Sequence, residues 1–211
     1  MKFMKKLQNY NTKIILISGG SCSGKTSLSL LIKKELGKNK VNLISMDDYY
    51  FPKSHFKDKL NINWDVPEAY DLTKFKKDIN MLLNGKEVKK NIFIYGKDVY
   101  KKEKENLYPK EFLIIEGIFS PYFEDIQKKA YKNIFLYSSK KIRYNRRREK
   151  DSKSISNFSE ENLKKYWKKE IKEFEKKYLK KFKKGGKLIK TNNLENNQEK
   201  ILQKIIKYIN K

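Results

Sequence analysis

Residues 18–26, SGGSCSGKT, constrain the fold of this chain more than any other stretch. They carry a P-loop pattern, in which Gly19 is followed by four free positions and then by Gly24, Lys25 and Thr26. Glycine tolerates the backbone angles that turn successive N–H groups inward around a polyphosphate. The lysine adds a compact positive charge, and the threonine hydroxyl suits Mg²⁺. The pattern therefore predicts a polyphosphate site with its magnesium ion.

The residues on both sides of this loop fit the same interpretation. A short apolar run rich in β-branched residues, 13–18, precedes the loop, as expected for a buried parallel strand. After the loop, leucine and isoleucine recur at helical spacing until Gly37, a natural helix stop. A glycine-rich turn without a ligand is the alternative, and the order of strand, loop and helix makes it the weaker one.

Apolar runs and helical patterns alternate along the rest of the chain. Further strands are predicted at residues 41–46, 91–95, 112–115, 133–137 and 188–189. Such alternation predicts an α/β fold, a parallel sheet covered by helices on both faces. No repeat or linker divides the chain, so we expect one domain over residues 1–211 that includes a small helical lid at approximately 140–158.

The formal net charge of +26 is the most unusual global property of the chain. Binding to nucleic acid or to an anionic membrane would explain this charge. The lysines are spread along the chain instead of gathered in one tract, which favours lysine-rich solvated faces and argues against a nucleic-acid partner. The single cysteine, Cys22, fits a reducing cytosol, and no run approaches the length of a membrane span. We therefore expect a cytoplasmic protein without a membrane partner; a homo-oligomer stays open.

Three carboxylates follow predicted strands, where parallel sheets bind their ligands. Asp47 and Asp48 follow the run 41–46, and Glu116 follows the run 112–115. An aspartate here suits the acceptance of a hydroxyl proton or the binding of a metal through water, although an Asp-rich turn is the alternative. The glutamate suits the magnesium shell.

Four arginines lie close together in a chain that otherwise uses lysine: Arg143, Arg146, Arg147 and Arg148. A guanidinium group binds phosphate oxygens in bidentate fashion, whereas an ammonium group acts as a point charge. The cluster predicts a mobile helix that closes over a transferring phosphoryl group, with a solvated basic helix as the alternative. The long helix predicted next, at 159–183, places Tyr166 on a periodic apolar face, which is most simply a core face.

Five segments, in this order and spacing, resemble the uridine kinase and phosphoribulokinase family of P-loop phosphotransferases: GGSCSGKTSL, ISMDDYY, NWDVPEAYD, LIIEGIF and RRREKD. The resemblance covers about residues 14–189. It implies a P-loop nucleoside-kinase-like three-layer fold and an enzyme that transfers the γ-phosphoryl group of ATP or GTP, with Mg²⁺, to an alcohol.

The resemblance also implies roles for individual residues. For catalysis these are Asp47 as the base, with Lys25 and Arg147 on the phosphates. The nucleotide would be bound by Gly19, Gly20, Ser21, Cys22, Ser23, Gly24, Lys25, Thr26, Ser27 and Arg146. The acceptor would be bound by Tyr50, Asp65, Tyr95, Tyr100, Arg147 and Lys150, and the metal by Thr26, Asp47 and Glu116.

The nucleobase segment departs from the family pattern. Where uridine kinases have YDxxxHxR, residues 95–102 read YGKDVYKK, so Tyr100 and Lys102 replace the histidine and the arginine. The RGR triplet that usually follows the lid is also absent. The 5′-hydroxyl of uridine or cytidine leads as acceptor, with nicotinamide riboside, another nucleoside-like molecule and pantothenate as alternatives. A nucleic-acid-binding NTPase and a family member without catalysis are alternatives of another class.

Overall fold

The strands of the protein form one large sheet and two small ribbons. The computed structural model describes residues 11–57, 62–94, 96–155 and 157–211. In chain order the strands are β1 (Lys13–Gly19), β2 (Val41–Ser45), β3 (Val88–Lys90), β4 (Phe93–Ile94), β5 (Val99–Tyr100), β6 (Glu105–Leu107), β7 (Phe112–Glu116), β8 (Lys132–Tyr137) and β9 (Lys187–Lys190).

The large sheet is parallel throughout and has the strand order β2-β7-β1-β8-β9. The central strands β1 and β7 are buried along nearly their whole length, which explains why they read as continuous apolar runs. Because β1, β2 and β7 run in the same direction, the P-loop, Ser45 and Glu116 all lie at the carboxyl ends of the strands, on the same side of the sheet. The sheet order thus assembles the predicted phosphate and metal residues.

Helices cover both faces of the sheet. They are α1 (Lys25–Glu35), α2 (Leu72–Leu83), α3 (Glu124–Lys129), α4 (Lys140–Ser154), a long helix over residues 160–184 and a C-terminal helix (Gln198–Ile209). Leu28 and Ile205 pack with Ile15 on one face, whereas Phe75 and Phe174 belong to the core on the other. The predicted three-layer α/β fold is therefore confirmed. No helix among the described residues has the length and apolar character needed to cross a bilayer.

The long helix contains two wider, π-helical stretches, Trp167–Ile171 and Glu175–Leu179. It begins as predicted, because the Ser159 hydroxyl accepts a hydrogen bond from the backbone N–H of Asn162 at 3.3 Å. The widened turns are a feature that apolar periodicity does not reveal, since a π-turn shifts the helix face by only one residue.

The run 91–95 is a correction to the predicted sheet. Instead of a parallel strand, Phe93–Ile94 pairs antiparallel with Val99–Tyr100 in a short hairpin. The turn contains Gly96 and Asp98, both with positive φ, so the chain reverses at once and leaves no crossover. A Cβ atom on Gly96 would lie 2.1 Å from the carbonyl oxygen of Ser154, so this turn packs directly on the end of α4.

Candidate active site

The P-loop folds around the first turn of α1. Cys22 and Gly24 both have positive φ, at 56° and 94°. A Cβ atom at position 24 would lie 2.5 Å from the Leu194 side chain, which explains the need for glycine there. The backbone N–H groups at the start of α1, with the positive end of its dipole, are thus available to an anion.

Lys25, Thr26 and Glu116 form a hydrogen-bonded group with the P-loop and the end of β2. The Lys25 ammonium donates to the carbonyl oxygen of Gly20 at 3.1 Å. The hydroxyls of Thr26 and Ser45 both donate to the same Glu116 oxygen, at 3.0 and 2.7 Å. Burial, together with nearby Asp47, raises the pKa of the Glu116 carboxyl, while Lys25 opposes the shift. Glu116 and Asp47 therefore repel each other, and a bound cation would relieve this repulsion.

The oxygen atoms of Thr26, Asp47 and Glu116 suit Mg²⁺, which prefers hard oxygen ligands. In the described part of the chain, no cluster of three or more His, Cys, Asp or Glu side chains forms a metal cage. This fits Mg²⁺, because that ion keeps several waters and binds substrate phosphates instead of an all-protein cage.

Asp47 and Asp48 have different environments, although they are adjacent in sequence. The Asp48 carboxylate pairs with Lys90 and accepts a hydrogen bond from the backbone N–H of Phe93 at 3.1 Å. Lys90 also pairs with Glu105 at 3.2 Å. Both aspartates line the cavity, but Asp48 joins the end of β2 to the two small ribbons, whereas Asp47 acts electrostatically on Lys25. The geometry favours Asp47 as the group near the chemistry.

Asp65 and Tyr166 form a hydrogen-bonded pair in the same cavity as the P-loop residues. The Tyr166 hydroxyl donates to the Asp65 carboxylate, and Asp65 is only 4% exposed. Burial raises the pKa of Asp65, while the Tyr166 hydrogen bond and the Arg147 charge oppose the shift. The expectation that Tyr166 belongs to a core face is wrong, because its hydroxyl faces this cavity. The periodic spacing did not distinguish Tyr166 from the core residues of the same helix. Only the polar hydroxyl at the tip of its apolar ring indicated a different position.

Arg147, on α4, contacts two parts of the cavity lining. Its Nη1 lies 3.2 Å from the Ser21 hydroxyl oxygen and 3.3 Å from the Tyr166 hydroxyl oxygen. Its Nε donates to Asp151 at 2.7 Å, one helical turn along α4. The guanidinium also lies over the Tyr166 ring, 4.9 Å from its centroid. Arg147 thus contacts the P-loop and Tyr166 at once.

Arg143 and Arg146 contact other parts of the protein. The buried Arg143 guanidinium pairs with Glu175 and donates to the backbone carbonyl oxygen of Ser21 at 3.3 Å, which makes it a support behind the P-loop. Arg146 donates to the carbonyl oxygen of Thr191 at 2.8 Å and pairs with Glu195 at 2.7 Å. Arg146 lines the cavity, and its role at the nucleotide stays a prediction.

Aromatic rings form one wall of the cavity. Tyr50 stacks on Tyr70 with ring centroids 4.2 Å apart and meets Trp64 and Phe93 at 5.5 and 5.8 Å. The Tyr100 hydroxyl donates to the backbone carbonyl oxygen of Tyr50, and Tyr100 itself does not line the cavity. Tyr100 therefore supports Tyr50 from behind instead of forming the wall.

One cavity of about 860 Å³ contains most of the predicted site. The predicted residues that line it are Ser21, Cys22, Gly24, Lys25, Thr26, Ser27, Asp47, Tyr50, Asp65, Glu116, Arg146, Arg147 and Lys150. Gly19, Gly20, Ser23 and Tyr100 lie outside its lining, and Tyr95 lies outside the described residues. The sequence did not single out Ser45, Trp64, Phe93 or Phe158, which also line it. This volume suits a small-molecule site.

Glu170 gives a prediction for stability against pH. Burial and the Asp65 charge raise the pKa of Glu170 to about 7, and one of its oxygens is buried without a partner in the structure. The pKa of this carboxyl is higher in the folded protein than in the unfolded chain. The free energy of unfolding therefore falls as the pH rises from the pKa of the unfolded chain through about 7. We expect Glu170→Gln to raise the free energy of unfolding at pH 8 by about 1 kcal/mol, a value discounted for partial exposure.

Urea unfolding at pH 8 and pH 5 checks this, because the gain should shrink at the lower pH, where native Glu170 is already neutral. Glu161→Gln, an exposed change on the same long helix, is the matched control and should leave the pH profile unchanged. An equal gain from Glu170→Gln at both pH values would contradict the assignment.

A P-loop before α1, a glutamate at the end of the adjacent strand and an arginine-bearing helix define a P-loop kinase. The chain belongs to the Phosphoribulokinase / Uridine kinase family, whose model matches residues 14–192. It is 32% identical over 157 residues to uridine kinase of Staphylococcus epidermidis, covering 74% of this chain and 76% of the relative. It is 35% identical over 129 residues to uridine kinase of Bacillus subtilis, covering 60% of this chain and 60% of the relative.

Solved structures support the fold. A protein described as a possible uridine kinase from Bacillus stearothermophilus has a TM-score of 0.52 at 17% identity, covering 77% of this chain and 85% of that one. Phosphoribulokinase from Rhodobacter spheroides has a TM-score of 0.54 at 13% identity, covering 70% and 58%. The family match and the similar uridine kinases confirm the resemblance read from the sequence and the assignment to P-loop kinases.

Proposed function

We propose that the protein transfers the γ-phosphoryl group of ATP or GTP to the primary 5′-hydroxyl of a nucleoside, with uridine and cytidine as the leading acceptors. The observation that carries this is the single cavity in which Lys25 and Asp47 lie together with the buried Asp65–Tyr166 pair. Family membership and the uridine kinases among the relatives support it.

On the phosphate side, Lys25 and the backbone N–H groups at the start of α1 hold the polyphosphate and stabilise charge on the transferring group. A bound magnesium ion, held by Thr26, Glu116 and Asp47, would supply further charge neutralisation on the phosphate oxygens. Arg147, fixed by Asp151, lies close enough to Ser21 to add a bidentate donor there.

On the acceptor side, Asp47 orients the hydroxyl and accepts its proton as the new P–O bond forms. Asp65, a buried hydrogen-bond acceptor, would bind the vicinal hydroxyls of a ribose. The ring wall that includes Tyr50 and Trp64 would hold a flat heterocycle by stacking. Residues 140–158 would act as the lid, and the cytoplasmic location and homo-oligomeric state stay predictions.

The test is ADP formation from Mg-ATP, or GDP formation from Mg-GTP, with uridine, cytidine, nicotinamide riboside, pantothenate or no acceptor. We expect ADP release only with a ribosyl acceptor, and UMP or CMP as the phosphorylated product. ADP release with pantothenate alone would move the acceptor outside nucleosides. Nucleotide binding without turnover on any acceptor would contradict the proposal and favour a non-catalytic member of the family.

A further inference from the structure

A second groove lies at the β9 edge of the sheet and shares no lining residue with the P-loop cavity. Its volume is about 440 Å³. It is formed by the end of β8, by β9, by the loop that follows β9 and by the first turns of the C-terminal helix: Tyr137, Leu188, Ile189, Lys190, Asn192, Asn193, Asn197, Lys200, Ile201 and Lys204. The proposed phosphoryl transfer makes no use of it.

The groove carries positive charge and no acidic lining residue. Lys190, Lys200 and Lys204 line it, and the Lys183 ammonium lies 5.9 Å from the centroid of the Tyr137 ring. None of these lysines pairs with a carboxylate within the described residues, although other surface lysines do, for example in the 2.6 Å pair Lys153–Glu149. Lys200 and Lys204 are one helical turn apart and repel each other. An anionic ligand would remove this repulsion.

The other lining groups distinguish between anionic ligands. The Tyr137 ring is 39% exposed, and Leu188 beside it is 42% exposed. Three asparagines, Asn192, Asn193 and Asn197, add amide donors and acceptors. Polyphosphate would use the lysines alone, whereas a single-stranded nucleic acid uses basic groups for its phosphates, an aromatic face for stacking and amides for base edges.

A second copy of this chain is a poor occupant of the same edge. The strand β9 pairs only with β8, so its outer side is open in the described sheet. Lys187 and Lys190 are exposed on this strand, and edge lysines oppose strand pairing between copies. The net charge of +26 adds repulsion between two copies and attraction to a polyanion.

We propose that this groove binds single-stranded nucleic acid, with lysines on the phosphates and Tyr137 stacked on a base. The even spread of lysine in the sequence argues against such a site, but the fold gathers lysines that are separated by up to 21 positions, from Lys183 to Lys204. The site is a second binding function, independent of the kinase cavity.

The test is fluorescence anisotropy with a labelled single-stranded RNA of about 12 nucleotides, in saturating Mg-ATP so that the P-loop cavity is occupied. We expect the triple change Lys190→Gln, Lys200→Gln and Lys204→Gln to weaken binding at least tenfold. The slope of log affinity against log salt should fall by about 2. Tyr137→Leu should weaken binding about fivefold or more, with little change in that slope.

The matched control changes three exposed lysines near the opposite edge strand, β2: Lys34→Gln, Lys38→Gln and Lys40→Gln. It removes the same charge and should leave most of the affinity. Both triple variants should keep the wild-type rate of ADP formation, which shows that they are folded. Equal losses from the two triple variants would overturn the proposal in favour of diffuse attraction. Full affinity in Tyr137→Leu, with equal competition by inorganic polyphosphate, would reduce the groove to a general polyanion surface and overturn the nucleic-acid assignment.

Discussion

Replacement of Asp47 by asparagine is expected to lower kcat about a thousandfold while leaving Mg-ATP affinity nearly unchanged. The amide keeps the size of the side chain but cannot accept the proton of the attacking hydroxyl. Nucleotide affinity should persist because Lys25, the N–H groups of the P-loop and the other two groups that would hold the magnesium ion, Thr26 and Glu116, remain in place. Steady-state ADP formation gives kcat, and calorimetric titration with Mg-ATP gives the affinity.

Asp48→Asn is the control for this change, because it makes the same replacement of one carboxylate oxygen by an amide nitrogen in the neighbouring residue. Asp48 is held by Lys90 and by the Phe93 backbone. Its replacement should lower thermal stability and leave the kcat of the folded protein close to wild type. If the two variants exchanged these effects, Asp48 would have to be the base.

Lys25→Ala is expected to lower kcat/KM by about a thousandfold and to weaken nucleotide binding as well. The lysine is buried beside Glu116 and Asp47, and burial lowers its pKa while the two carboxylates oppose that shift. Its loss removes the positive charge from the phosphates and leaves both carboxylates without their nearest cation. The pKa of Glu116 should then rise further, because Lys25 opposes its elevation.

The measurement is the kcat/KM for ADP formation, together with nucleotide titration as in the preceding test. Lys34→Ala, an exposed lysine on the same helix, provides the comparison and should behave like wild type. A Lys25→Ala enzyme with normal nucleotide affinity would show that this ammonium does not contact the phosphates.

The sequence predicted those parts of the fold whose pattern is local and long. The run 13–18 is the central strand β1, and the helical spacing that ends at Gly37 belongs to the helix α1. The two-residue strands of the hairpin are too short for a period to be read. Phe93 packs against Tyr50 and Tyr100, so the run 91–95 has the apolar character of a strand of the main sheet.

The site was predicted least well where neighbouring side chains of one type have different partners. Arg143 and Arg147 lie one helical turn apart on α4, yet the first supports the P-loop with Glu175 and the second faces the cavity. Tyr166 shared the spacing of buried Leu163 and Ile171, and only its contact with Asp65, 101 positions away, distinguishes it. Long-range partners of this kind are not encoded in local spacing.

The position of Arg147 between Ser21 and Tyr166 has a thermodynamic consequence for ligand binding. One guanidinium contacts the loop that would hold the donor and the tyrosine that orients Asp65. A donor that immobilises Arg147 also places it for the acceptor, and an acceptor that immobilises Arg147 also places it for the donor. By linkage, the factor by which the donor tightens acceptor binding must equal the factor by which the acceptor tightens donor binding.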